Sequence, residues 1–121
     1  MRVKKPRTTA VTPKNLLMVM MLMALQRSNS SYGYKLMEET KAFWREAINR
    51  GTVYRMLRQM EKNGIIKSSW DTNANGPARR MYSITDEGEA YLDLWIESLK
   101  QYHSNVEAFL KLYNRPPNRD E

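Results

Sequence analysis

The 121-residue sequence predicts a mainly α-helical fold with a small β-hairpin, an α+β arrangement that ends in a long helix. Three observations predict it. Apolar residues recur at spacings of three and four through residues 13–62. Two alternating stretches, IIKSSW at 65–70 and RRMYSIT at 79–85, flank the turn pair Asn75-Gly76. A seven-residue repeat of large apolar side chains then runs from Leu92 to Tyr113. A chain of this length has room for one core and one extension.

Residues 1–11 carry Arg2, Lys4, Lys5 and Arg7, contain Pro6 and lack apolar periodicity, so they read as a flexible basic arm. Thr12-Pro13 marks the first helix start, a hydroxyl that accepts from an orphan amide followed by a proline where no donor is needed. That helix, about 13–27, is apolar almost all round and should be buried on more than one side. Its run LLMVMMLMAL after basic residues has the look of a signal peptide, but it is about half the ~20 residues that span a bilayer. A core helix, with no membrane partner, is the simpler reading.

QRSNSS at 26–31 breaks the pattern with turn- and cap-forming residues. The second helix, about 32–44, places Leu36, Met37, Thr40, Phe43 and Trp44 on one side, with Lys35, Glu38, Glu39 and Lys41 away from it. In the third, Asn49 is the cap, Val53, Met56, Leu57 and Met60 form the apolar stripe, and Asn63-Gly64 closes the end. The hairpin follows. Thr85 then caps the last helix, whose first turn holds Asp86, Glu87 and Glu89 against the positive helix end. Leu92, Leu99, Val106 and Tyr113, interleaved with Trp95, Tyr102 and Phe109, give the seam positions of a helix that pairs with a second copy or docks into a groove between partners. Ile96 and Leu110 widen that stripe, and residues 115–121 form a tail. The units are thus an arm at 1–11, a domain at 12–85, a dimerisation helix at 86–114 and the tail.

The charge is unevenly placed. Residues 1–85 hold sixteen Lys/Arg against five Asp/Glu, whereas residues 86–121 hold four against eight, within a net charge of +7. Such a basic half suits a polyanionic partner. No cysteine is present and His103 is the one histidine, so disulfides and thiolate metal sites are excluded and no metal or cofactor is expected. No nucleophile–base pair or carboxylate dyad stands out, which argues against an enzyme.

At 100° per residue, Leu57 and Met60 fall within about 40° of Val53 on the third helix, while Gly51, Arg55, Arg58 and Lys62 gather on the opposite side. A short helix, a turn and a helix with a free basic face is how a helix-turn-helix offers side chains to the major groove of double-stranded DNA. The hairpin would be a wing, with Arg79 and Arg80 beside its turn for phosphate or minor-groove contact. The competing reading is a solvated charged face on a protein-protein or storage-granule-surface adaptor that docks through its apolar last helix.

YGYKLMEE at 32–39, NRGTVYRMLRQMEKNGII at 49–66 and GPARRMYSITDEGEAYL at 76–92 together resemble the PadR-type transcriptional regulators, a winged helix-turn-helix family. WDTNANGPARRMYSITDEG is most similar to the subgroup of repressors that respond to polyhydroxybutyrate. The resemblance implies a bacterial, cytoplasmic, nucleoid-associated homodimer that binds a palindromic operator and is released by an effector. It assigns Tyr34, Lys35, Thr52, Tyr54, Arg55 and Arg58 to DNA contact, and Gly76, Arg79 and Arg80 to the wing. Arg50 stands where many relatives have proline and adds a phosphate contact. Met18, Met20, Met21 and Met23, with Trp44 and Trp95, either line a deformable pocket for an apolar or phenolic effector between the first and last helices or pack as ordinary core.

Overall fold

Thr12 accepts a hydrogen bond from the Asn15 amide at 3.1 Å and so begins helix α1, Pro13–Ser28, in a computed structural model that describes residues 11–43, 49–72 and 76–114. Two-residue strand β1, Ser31–Tyr32, follows, then α2, Gly33–Phe43, α3, Arg50–Lys62, β2, Ile66–Asp71, β3, Arg79–Ile84, and α4, Asp86–Asn114. The strands form one antiparallel sheet in the order β1-β3-β2. No helix among the described residues is long and apolar enough to cross a membrane.

The sheet corrects the expected two-stranded hairpin. Ser31 pairs with Tyr82 and Tyr32 with Met81, so the segment read as a turn adds a third strand and Tyr32 leaves the second helix. Two residues are too few to show a period of two, and the pairing is fixed by β3 rather than by local sequence. Residues 1–10 of the predicted arm at 1–11, Trp44, Asn75 of the hairpin turn and the tail at 115–121 lie outside the described residues.

The core gathers one face from each element. Leu17, Met21, Leu22 and Leu25 of α1 meet Leu36 of α2, Val53, Leu57 and Met60 of α3, Ile66 and Tyr82 of the sheet, and Leu92 and Trp95 of α4. Each such side chain contributes about 1.5–3 kcal/mol when taken from water. Burial on two sides of α1, at both Val19 and Met21, explains why its sequence is apolar almost all round.

Two joints fix the wing against the helices. At the end of α3, Gly64 takes φ 78° while its amide donates to the Glu61 carbonyl and the Ile65 amide to the Met60 carbonyl, both at 3.0 Å. That left-handed close, cheap for glycine, turns the chain directly into β2. At the start of α4, the Thr85 hydroxyl accepts from the Gly88 amide at 2.9 Å and donates toward the Gly64 carbonyl at 2.6 Å. One side chain thereby caps α4 and binds it to the end of α3.

The apolar repeat on α4 divides in two. Leu92 and Trp95 are closed within the chain's own core and Leu99 packs against it, whereas Tyr102, Phe109 and Tyr113 are 48%, 66% and 79% exposed, with Val106 half-buried. Trp95 is therefore a core residue rather than a free seam residue, because the first three turns of α4 lie against α1 and the sheet.

Candidate nucleic-acid interface

Helix α3 is sorted by its sequence before it meets anything else. Asn49 holds extended backbone, and its side-chain oxygen accepts from the Gly51 amide at 2.7 Å and the Thr52 amide at 3.4 Å, satisfying two donors that the first turn leaves open. Val53, Met56, Leu57 and Met60 are buried; Arg50, Gly51, Arg55, Arg58 and Lys62 are exposed. Arg55 Nη2 donates to Thr52 Oγ1 at 3.2 Å, which lays the guanidinium back along the helix toward its N-terminus.

Tyr54 does two jobs. It is half-buried, and its ring lies so close to Gly33 that a Cβ there would stand 2.8 Å from Tyr54 Cε1. Gly33 thus lets the start of α2 approach α3, and places Tyr34, 49% exposed, and Lys35 on the surface beside it. The wing completes the group: Tyr34, Tyr54, Arg79 and Arg80 line one recess of about 200 Å³ at the junction of α2, α3 and the sheet.

Successive residues on a strand face opposite sides, so the adjacent arginines of the wing are held by different partners. Arg79 lies over the rings of Tyr32 and Tyr34, 5.5 and 5.9 Å from their centroids, and its Nη1 donates to the Tyr34 hydroxyl at 3.5 Å. Those two rings are themselves stacked at 5.9 Å with planes 10° apart. Tyr32 donates to the Asp71 carboxylate, and that bond, with some desolvation and the Asp71 charge, raises the phenol above its ordinary pKa against the opposing pull of Arg79. Tyr32 therefore stays a protonated donor at physiological pH.

Arg80 lies on the other side. Its Nη2 stands 3.4 Å from Glu61 Oε1, its Nε donates to Ser68 Oγ at 2.9 Å, and Ser68 donates to Glu61 Oε2 at 2.6 Å. The guanidinium also lies 5.3 Å from the ring centroid of Trp70, which is 60% exposed. Glu61 is half-buried on α3, and nothing local in the sequence ties it to Arg80. It neutralises one wing arginine while leaving the exposed face of α3 cationic.

Sequence reasoning missed Tyr32, Glu61, Trp70 and Asp71. Trp70 was open to inference, since alternation from Ile66 sets it on the face of Ser68, directly opposite Arg80. Gly76, with φ 108° and nothing within 4 Å of where its Cβ would stand among the described residues, opens the described part of the chain that leads into β3. Lys35, Arg50 and Arg58 are exposed and do not line the recess.

The expected methionine pocket is differently built. Met21 and Trp95 are closed in the core, Trp44 lies outside the described residues, and Met18 borders a cleft between α1, α3 and α4. Met20 and Met23 line a separate recess of about 400 Å³ between α1 and α2. Stagger around an almost wholly apolar helix decides which methionine is covered, and α1 gave no polar face to orient the prediction.

Known proteins share this fold. Residues 21–94 match the model of the transcriptional regulator PadR-like family. The fold is similar to a PadR-like transcriptional regulator of Bacillus cereus, at 26% identity and a TM-score of 0.72, covering 80% of this chain and 93% of that one. It is also similar to a PadR family transcription regulator of Clostridium difficile, at 24% identity and a TM-score of 0.71, covering 78% and 97%. An uncharacterised protein of Lysinibacillus sphaericus is 24% identical over 82 residues, 66% of this chain and 75% of its own length. With the family model spanning α1 to α4 and the basic helix, wing and three-stranded sheet in place, the chain belongs to the PadR-like family and is a transcriptional regulator rather than an enzyme.

Proposed function

We propose that the chain is a homodimeric repressor that binds a palindromic operator and leaves it on binding an effector. One observation carries the DNA-binding geometry: the exposed cationic face of α3 adjoins a recess where Tyr34 of α2, Tyr54 of α3 and Arg79 and Arg80 of the wing converge. Arginines from α3 would read guanine edges in the major groove, while Lys35, Arg50 and the wing hold phosphates. The exposed second half of α4 supports the dimer, because Tyr102, Phe109 and Tyr113 present an apolar stripe that a second copy can cover. A two-fold dimer places two recognition helices about one DNA turn apart, which is why the operator is palindromic.

The resemblance to repressors that respond to polyhydroxybutyrate supports that polymer as effector, and release of bound DNA on adding polymer granules tests it. For the DNA-binding claim, labelled DNA from upstream of the chain's own coding sequence is competed against bulk DNA. Preference for the upstream DNA that falls about tenfold or more in Arg55→Ala, with affinity for both DNAs weakened in Arg79→Ala, supports the reading. The exposed stripe on α4 also suits a protein or granule-surface adaptor, and absence of any preference at physiological salt would favour that role.

A further inference from the structure

A cleft of about 460 Å³ lies behind the recognition helix, between α1, α3 and the first turns of α4. Its floor is apolar, made by the buried side chains of Met56, Met60 and Ile65, and its walls include Met18 and Tyr91. Two cations, Lys14 and Arg55, stand on its rim, and no carboxylate lines it among the described residues. The volume falls in the range of small-molecule sites, which are mostly apolar with a few placed polar groups. Methionine on both floor and wall adapts to flexible aliphatic shapes.

Arg55 connects this cleft to the outer face of α3. Its guanidinium is held by Thr52, which also lines the cleft, instead of extending away from the helix. A guanidinium whose donor fork is turned to an anion at this rim is drawn away from the outer face of α3, where a base or a phosphate would be met. We infer that the cleft binds a small anionic amphiphile, a carboxylate or sulfonate head between Lys14 and Arg55 over an apolar body, and that occupation withdraws Arg55 from DNA. This regulation rests on the DNA-binding reading above. The charge on the rim selects the occupant: the sequence before α1, with Arg2, Lys4, Lys5 and Arg7, has the wrong sign to fill it.

The full chain is titrated with 8-anilino-1-naphthalenesulfonate, and decanoate is then used as the competing probe. Expected are saturable fluorescence that decanoate displaces and dodecyltrimethylammonium does not, and a decanoate affinity about fivefold weaker in Lys14→Ala that Lys14→Arg restores. Met18→Trp, which fills the cleft without changing charge, should also weaken decanoate. Decanoate should weaken the upstream DNA complex, and saturating DNA should weaken decanoate by the same factor.

No displacement, displacement indifferent to Lys14→Ala and Met18→Trp, or decanoate that shifts the sedimentation of the chain by expelling a second copy would overturn the site. Decanoate that binds through Lys14 but leaves DNA affinity unchanged would overturn its regulatory role. A chain that prefers no DNA at all overturns the DNA-binding reading, and Lys14-dependent decanoate binding then still decides the site alone.

Discussion

Arg80 of the wing and Glu61 of α3 face each other at 3.4 Å, with Ser68 hydrogen-bonded to both. The pair sets the wing relative to α3, the two elements that the proposed DNA-binding surface joins. It is partly exposed, so its direct worth to stability is small, about 0–1 kcal/mol. Its weight is geometric.

Glu61→Gln should therefore separate two effects. Removing the carboxylate adds one effective positive charge and loosens the wing, so affinity for bulk DNA should rise while the ratio of upstream to bulk affinity falls. Competition binding with both DNAs reads the two quantities. An unchanged ratio would show that the pair does not orient the wing.

Gly88 should tolerate no side chain. A Cβ there would lie 2.0 Å from the Ile65 carbonyl oxygen and 2.8 Å from Ile84 Cγ1, and the first of these is backbone that cannot swing aside. Gly88→Ala should cost about 2–3 kcal/mol and lower Tm by roughly 10 °C, as thermal unfolding would show. A Tm within two or three degrees of the parent, on the same scale, would mean that α4 shifts freely against the wing.

Asn49→Ala should cost about 1 kcal/mol, the worth of a cap that satisfies two amides. Denaturant unfolding measures it, and Asn49→Asp should restore most of the loss. Equal stability of all three chains would remove the cap from the account of how α3 begins.

The dimer prediction changes with the position of Trp95. Because that ring is closed in the core, Trp95→Ala would unsettle the fold and reveal little about assembly. Tyr102→Ala with Phe109→Ala is the better pair, since both side chains are exposed in the single chain. Sedimentation should move toward monomer while far-ultraviolet circular dichroism stays helical. A persistent dimer would place the interface elsewhere.

These contrasts show what the sequence could reveal. Helix α3 was legible throughout, since Asn49, the Val53–Leu57–Met60 stripe and Gly64 are local signals that tertiary structure had no reason to override. Strand β1 was not, because Ser31 and Tyr32 become a strand only by pairing with residues fifty positions away. The heptad on α4 was visible, but where core gives way to free surface depends on where α1 stops covering it. The arginine doublet was read as one feature, whereas Tyr34 and Glu61, distant in sequence, give Arg79 and Arg80 separate supports.

The central claim is that α3 and the wing form one DNA-binding surface, and salt-dependent affinity for the upstream DNA tests it most directly. Measured for the parent, Arg58→Ala and Arg79→Ala, affinity should fall steeply with salt in the parent, both variants should bind more weakly, and Arg79→Ala, which removes one phosphate contact from each half of the dimer, should reduce the slope by about 1.8. Neither Arg58 nor Arg79 lines the cleft behind α3, so this result is independent of any ligand there. Affinity and slope unchanged in both variants would contradict the account.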